Sequence, residues 1–158
     1  MRASRDTLGL VIAVLGTQAI GALSGIVAGA DFVTFYNALN KPALTPPAAA
    51  FGPAWTTLYL LMGVAAWLVW REGITRRTAL ALRLFAAQLA LNFAWSLIFF
   101  GQQRIGVALI EIAILWCTIL ATIVAFWRVR PLAGALLLPY LAWVSFATYL
   151  NAGIWKLN

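Results

Sequence analysis

The sequence predicts an all-α fold, an integral membrane bundle of five transmembrane helices, and three observations carry that prediction. Of 158 residues, 64% are apolar and 9% charged, with a mean hydropathy of +0.93, whereas a soluble domain is apolar over about half its length. The apolar residues are grouped in runs that reach the length of about 20 residues needed to cross a hydrocarbon core. The chain has room for about five such runs with short connections. Residues 1–158 are therefore expected to form a single transmembrane domain, with no mass left for a soluble one.

The first span is expected at residues 7–29, behind Arg2 and Arg5. Those arginines, the apolar run and Ala28-Gly29-Ala30 also fit a secretory signal with a small-residue cleavage site, but the run exceeds the usual apolar length, so a retained helix is expected. Gly21, Gly25 and Gly29 recur at every fourth position and admit a close helix, from this chain or from a second copy. Residues 30–50 form the first loop. Pro42, Pro46 and Pro47 remove backbone donors and fix φ, so the loop is semi-rigid and suits a lid over a pocket. The second span, 51–70, is entered through Pro53, which the first turn of a helix tolerates. It carries Trp55 and Tyr59 on one face. A basic connection follows, with Thr78 as the expected N-cap of the third span, 79–100. Gly101-Gln102-Gln103-Arg104 is a tight turn into the fourth span, 105–127. Pro131 opens the fifth, 132–155, which carries Pro139 inside it.

The formal net charge is +7, with the cations at span ends and not along a stripe interleaved with aromatics. That distribution reads as a topology signal and headgroup contact with the lipid bilayer, not as a nucleic-acid surface. With five spans, the N-terminal side holds Arg2, Arg5, Arg71, Arg76, Arg77, Arg83, Arg128 and Arg130, and the other side Lys41, Arg104 and Lys156. The N-terminus is accordingly expected in the cytoplasm, with the first loop and C-terminus opposite. The chain has no histidine, one cysteine (Cys117) and four carboxylates, Asp6, Asp31, Glu72 and Glu111. An intramolecular disulfide is excluded, and a metal site is not expected.

Functional candidates lie where polar groups meet aromatic ones at membrane depth. Gln88, Asn92, Trp95 and Phe99 form one stripe of the third span. An amide in hydrocarbon must find a partner, so Gln88 and Asn92 are expected to face the interior, as interhelical glue or, for Asn92, as a ligand contact. The fifth span places Tyr140, Trp143, Ala147, Leu150 and Asn151 in one sector. Trp55, Trp95 and Trp143 are candidates for a cavity wall, while Trp127 and Trp155 suit interfacial belts. Glu111 is the one carboxylate within a span, roughly 6 to 9 Å deep at 1.5 Å per residue. Two readings are open: it couples a proton to transport, or it pairs with Arg104 two turns earlier.

These blocks resemble the tryptophan-rich sensory protein and translocator protein family, TspO/MBR. The likeness runs through Phe35-Tyr36, Lys41-Pro42 and Pro46-Pro47, Phe51-Gly52-Pro53-Ala54-Trp55 to Tyr59 with Met62-Gly63, Gln88 to Asn92, Trp95-Ser96 and Phe99-Phe100, and Pro139-Tyr140-Leu141-Ala142-Trp143 to Asn151. It implies a five-helix bundle whose pocket opens towards the first loop and accepts porphyrins, sterols and drug-like molecules. On the matching positions, Tyr36, Trp55, Asn92, Trp95, Trp143, Ala147 and Leu150 would bind the ligand. In members that degrade protoporphyrin in light, the implicated tryptophans fall on Trp55 and Trp143; no acid, base, metal or cofactor is then required. The sequence departs from the family's cholesterol motif, because no tyrosine shortly precedes Lys156. It also places Arg83 and Ala87 where a small-residue dimer motif stands, although Ala86, Ala90 and Ala94 keep a small-residue stripe for a homodimer.

The expected function is a membrane receptor or carrier for hydrophobic tetrapyrroles such as protoporphyrin and haem. The alternatives are a light-dependent porphyrin-degrading enzyme and a small proton-coupled exporter resting on Glu111.

Overall fold

The computed structural model describes residues 2–29 and 32–158. Asp31 and Ala30, the first residues of the expected loop, lie outside the described residues, as do Met1 and the side chains of Arg2 and Ala3. Among the described residues seven α-helices follow in order: α1 (Arg2–Ala28), α2 (Phe32–Ala38), α3 (Phe51–Trp70), α4 (Arg76–Ser96), α5 (Ile105–Val129), α6 (Pro131–Ala135) and α7 (Leu138–Leu157). Five segments, Ser4–Ala28, Ala48–Trp70, Arg76–Gly101, Ile105–Val129 and Pro131–Leu157, are long and apolar enough to cross a bilayer. The protein is a multi-pass integral membrane protein, and no strand occurs among the described residues.

The bundle is closed by α1 on α3, α4 on α5, and α5 on α7. Its core runs through Met62, Ala65 and Val69 of α3, Phe85 of α4, Ile112, Leu115 and Ile119 of α5, and Tyr140 and Val144 of α7, all buried. Leu8, Ile12, Leu15, Ile26, Ile110 and Ile114 are exposed on the outside of α1 and α5, as expected where the solvent is lipid.

Small residues set the closeness of α1 to α3. A Cβ on Gly63 would stand 2.7 Å from the Val14 Cα, so the two backbones nearly touch there. Thr17 uses the approach to donate its hydroxyl to the Tyr59 carbonyl at 2.7 Å, across the helix pair. Gly21 lies under the Tyr59 ring, where a Cβ would come within 2.6 Å. Of the two partners open to the Gly21 and Gly25 spacing, Gly21 serves one inside the chain; nothing lies within 4 Å of a Cβ on Gly25. Ala86 and Ala90 of the small-residue stripe on α4 are exposed.

Three local features differ from expectation. The N-cap of α4 is Thr75, not Thr78: the Thr75 hydroxyl accepts from the Thr78 amide at 3.2 Å, and the Thr78 hydroxyl accepts from the Thr75 amide at 2.8 Å. Thr78 is the far half of a reciprocal capping box, so the helix starts a turn earlier. Pro139 lies inside the fifth span, Pro131–Leu157, as expected, but that span is not one continuous helix. The proline lacks the N–H that the Ala135 carbonyl would need, so the coil breaks at Leu136 and Leu137, and Pro139 lies in the first turn of α7. Finally, α4 does not end in a simple turn. Residues Leu97–Gly101 widen into a π-helical turn, with the Gln102 amide donating to the Leu97 carbonyl at 2.8 Å, before Gln103 takes a left-handed φ of 56°. The wider turn points both Phe99 and Phe100 at α2: Phe100 meets Phe32 at 4.7 Å and Phe99 meets Phe35 at 6.2 Å between ring centroids.

The first loop is tied down at its far end. Lys41 Nζ donates to the carbonyls of Tyr36 at 2.6 Å and Leu39 at 2.9 Å, placing a cation on the C-terminal carbonyls of α2. Asn40 and Asn158 exchange backbone and side-chain hydrogen bonds at 3.0 and 2.9 Å. Pro42 packs on Gly153, where a Cβ would meet its ring at 2.6 Å.

The contact at Gly63 is testable. Gly63→Ala is expected to cost about 1–3 kcal/mol through overpacking and to lower the melting temperature in detergent. Gly16→Ala, which meets nothing within 4 Å, is expected to leave the melting temperature unchanged or raised; equal effects from both would contradict the close backbone approach.

Candidate functional site

A cavity of about 390 Å³ opens between the first loop and the loop-side halves of α1, α3, α4 and α7. That volume lies within the usual range for small-molecule pockets. Trp55 and Tyr59 of α3, Asn92, Trp95 and Ser96 of α4, and Trp143 and Ala147 of α7 form three walls. Gln18, Gly21, Ser24 and Gly25 of α1 form the fourth, and Phe32 and Tyr36 of α2 close it from above.

The floor is a chain of buried hydrogen bonds. The Tyr59 hydroxyl donates to Asn92 Oδ1, Asn92 Nδ2 donates to the Tyr140 hydroxyl at 3.0 Å, and that hydroxyl donates to Gln88 Oε1 at 2.8 Å. Tyr59, Asn92, Tyr140 and Gln88 are each at most 4% exposed. A polar side chain at this depth has no water to fall back on, so these four groups tie α3, α4 and α7 together through one another; Gln88 Nε2 alone of the nitrogens and oxygens on these four side chains is left buried without a partner. Asn92 belongs to the interhelical network and also lines the cavity. Gln88 is structural and does not reach the cavity.

The walls are aromatic rings set edge to face, the arrangement that ring quadrupoles favour. Centroid distances are 5.8 Å for Tyr36 and Phe51, 5.9 Å for Phe51 and Trp143, and 6.4 Å for Trp143 and Trp55. Across the cavity, Trp95 meets Phe100 at 5.6 Å. Trp95 is held by its indole N–H, which donates to Asn151 Oδ1 at 3.1 Å. Asn151 Nδ2 in turn donates to the Ile105 carbonyl at 3.0 Å. Asn151 thereby joins α4, α5 and α7 from behind the wall.

Two donors among the lining residues lack partners. The Tyr36 hydroxyl and the Trp143 indole nitrogen are buried with no hydrogen bond. Burial pushes the Tyr36 phenol up from its ordinary value, so it stays neutral and able to donate at physiological pH. Leaving such a donor unsatisfied costs about 1–3 kcal/mol, which an acceptor brought by a ligand would offset.

The structure brings six of the seven sequence-derived candidates to the cavity: Tyr36, Trp55, Asn92, Trp95, Trp143 and Ala147. Leu150 is buried but does not line it. Sequence reasoning missed the cavity-facing role of Phe32, Phe100 and the α1 residues. For α1 the signal was the glycine spacing, since the absence of side chains at Gly21 and Gly25 leaves room for both the Tyr59 ring and the cavity. Glu111 does not pair with Arg104. Arg104 is exposed at the start of α5, while Glu111 points inward, with both carboxylate oxygens buried and without partners. It lies outside the cavity wall.

Comparison with known proteins agrees with this architecture. The TspO/MBR family matches residues 13–156, nearly the whole bundle and the entire cavity. The chain belongs to the TspO/MBR family. It is 43% identical to the translocator protein of Homo sapiens over 141 residues, covering 85% of this chain and 83% of the human one. It is 39% identical to the tryptophan-rich protein TspO of Archaeoglobus fulgidus over 153 residues, 97% and 99% of the two chains. With the tryptophan-rich sensory protein of Cereibacter sphaeroides it shares 42% identity over 125 residues, 78% and 77% of the two chains.

The hydrogen-bonded floor makes an asymmetric prediction. Asn92→Leu strands the Tyr59 hydroxyl and removes the donor to Tyr140, whose own hydroxyl still donates to Gln88, and is expected to destabilise by about 2–3 kcal/mol. Tyr59→Phe removes one terminal donor and should cost about 1 kcal/mol. Thermal melts in detergent measure both, and equal small losses would count against a coupled network.

Proposed function

We propose that the protein is a receptor or carrier that binds hydrophobic tetrapyrroles, protoporphyrin and haem among them, in the aromatic cavity beneath the first loop. The observation that carries this reading is the pairing of an edge-to-face aromatic wall with two unpartnered donors, Tyr36 and Trp143. A flat, apolar macrocycle stacks on such rings, and its carboxylates supply the acceptors that the donors lack. The first loop acts as the lid. Its anchors at Asn40 and Pro42 restrict its conformations before binding, which lowers the entropy cost of closing over a ligand.

Protoporphyrin is expected to quench the intrinsic tryptophan fluorescence of the protein saturably. Trp143→Phe and Trp55→Phe each remove an indole face, worth about 0.5–1.5 kcal/mol, and should raise Kd by about two- to tenfold. Unchanged affinity in both variants would sink the reading.

A second reading, light-dependent porphyrin degradation, is favoured by the direct contact of Trp55 and Trp143 at 6.4 Å. A photo-excited porphyrin lying on this pair has two oxidisable indoles within reach, and molecular oxygen as the final acceptor. The expected sign is loss of the porphyrin absorption spectrum under light and oxygen, faster than for free porphyrin in detergent and slowed to that rate by either substitution to Phe. If the wild-type protein bleaches porphyrin no faster than detergent alone, the protein binds without catalysis.

A further inference from the structure

A second cleft lies at the opposite end of the bundle, on the outer seam where α1, α3 and α4 meet. It has a volume of about 340 Å³ and is lined by Gly9 and Ala13 of α1, Ala66, Trp67 and Trp70 of α3, and Leu82 of α4. Small residues hold it open: a Cβ on Gly9 would stand 2.5 Å from the Trp70 ring. Its lining is apolar apart from the indole nitrogens, and that of Trp67 is already committed to the Asp6 carbonyl at 2.9 Å.

Cations stand over both of its tryptophans. The Arg5 guanidinium lies 5.4 Å from the centroid of Trp70, and that of Arg71 lies 4.7 Å from Trp67. Two carboxylates described at this end are already engaged, Asp6 by Arg71 at 3.2 Å and Glu72 by Arg130 at 3.0 Å. Arg5 has no ion-pair partner among the described residues, and Arg76 and Arg77, exposed at the start of α4, add further positive charge. The cleft therefore combines an apolar slot with an uncompensated cation held at its rim by an aromatic face.

We propose that this cleft is a binding site for an anionic phospholipid, with an acyl chain lying along Gly9, Ala13 and Ala66 and the headgroup phosphate against Arg5. Charge complementarity selects this occupant. A zwitterionic lipid would bring its own cation to a rim that is already basic, and a soluble anion would leave the apolar slot unfilled. A second copy related by a two-fold axis would set this basic end against its own equivalent, a like-charge contact that costs energy.

The test is lipid retention on the intact, detergent-purified protein, read by native mass spectrometry together with the melting temperature. Dioleoylphosphatidylglycerol, dioleoylphosphatidylcholine and inorganic phosphate are titrated in parallel. The expected result is a one-to-one phosphatidylglycerol adduct with a raised melting temperature, under conditions where phosphatidylcholine is lost and phosphate has no effect. Arg5→Gln should weaken retention about fivefold, as expected for one arginine at a lipid surface. Ala13→Leu, which fills the slot and leaves the charge, should weaken it as well, while Arg104→Gln at the other end should not. The proposal is overturned if phosphatidylcholine is retained as well as phosphatidylglycerol, if phosphate alone reproduces the stabilisation, or if a two-protomer species excludes lipid. Unaltered retention in both folded variants overturns it too. The wild-type comparison of the two lipids decides the matter even if a variant fails to fold.

Discussion

Within a bilayer a buried polar group must be satisfied by the protein itself, and this constraint organises the structure around four residues on three helices. Tyr59, Asn92, Tyr140 and Gln88 form one relay of hydrogen bonds across α3, α4 and α7. Hydrophobic burial does little to choose between helix arrangements when the surrounding lipid is as apolar as the side chains. The relay does choose, because a rotation of any of the three helices would strand a hydroxyl or an amide. It fixes which face of α3 carries Trp55 towards the bundle and which face of α7 carries Trp143. The floor of the cavity is therefore also the joint that sets its walls.

Above the floor the chain makes the opposite choice. The Tyr36 hydroxyl and the Trp143 indole nitrogen are left without partners, although burial makes that unfavourable. Both lie on the cavity's lining, where an acceptor-bearing ligand could reach them, whereas the unpartnered Gln88 Nε2 lies behind the floor, away from the cavity. The first loop contributes Tyr36 from a short helix whose last carbonyls are held by Lys41 and whose following residues are pinned to α7 through Asn40, Pro42 and Asn158. The lysine, which has no carboxylate partner among the described residues, is thus explained by backbone carbonyls and not by a salt bridge. At the far end of the bundle, the same mixture of tryptophan, small residues and cation produces a cleft on the lipid-facing side instead of a cavity inside.

Much of the fold was legible because its signals are local. Apolar run length announces a span whatever it packs against, and proline and glycine punctuate the connections. The errors arose where a local signal had two readings. Thr75 and Thr78 are both competent caps, and only the reciprocal hydrogen bonds show which is which. Pro139 lies inside its apolar run as read, and what the run length does not announce is that the missing N–H breaks the coil within the span. The π turn at Leu97–Gly101 has no composition signal, so the joint exposure of Phe99 and Phe100 to α2 was unreadable. Glu111 and Arg104 have a spacing that permits a pair, but the arginine turns out to solvent at the helix start while the carboxylate turns in.

The sequence by itself determined the membrane class, the helical architecture, the stiff first loop and the aromatic and amide residues from which a site would be built. Those properties follow from composition and from periodicity along a single helix. Only the tertiary structure decided that Asn92 works within a relay, that Leu150 is buried apart from the cavity while Gly21 and Gly25 line it, and that Trp67 and Trp70 frame a second cleft. Each of these depends on how one helix is rotated against another, which the close approach at Gly63 and the shared hydrogen bonds of the floor fix and which no single helix encodes.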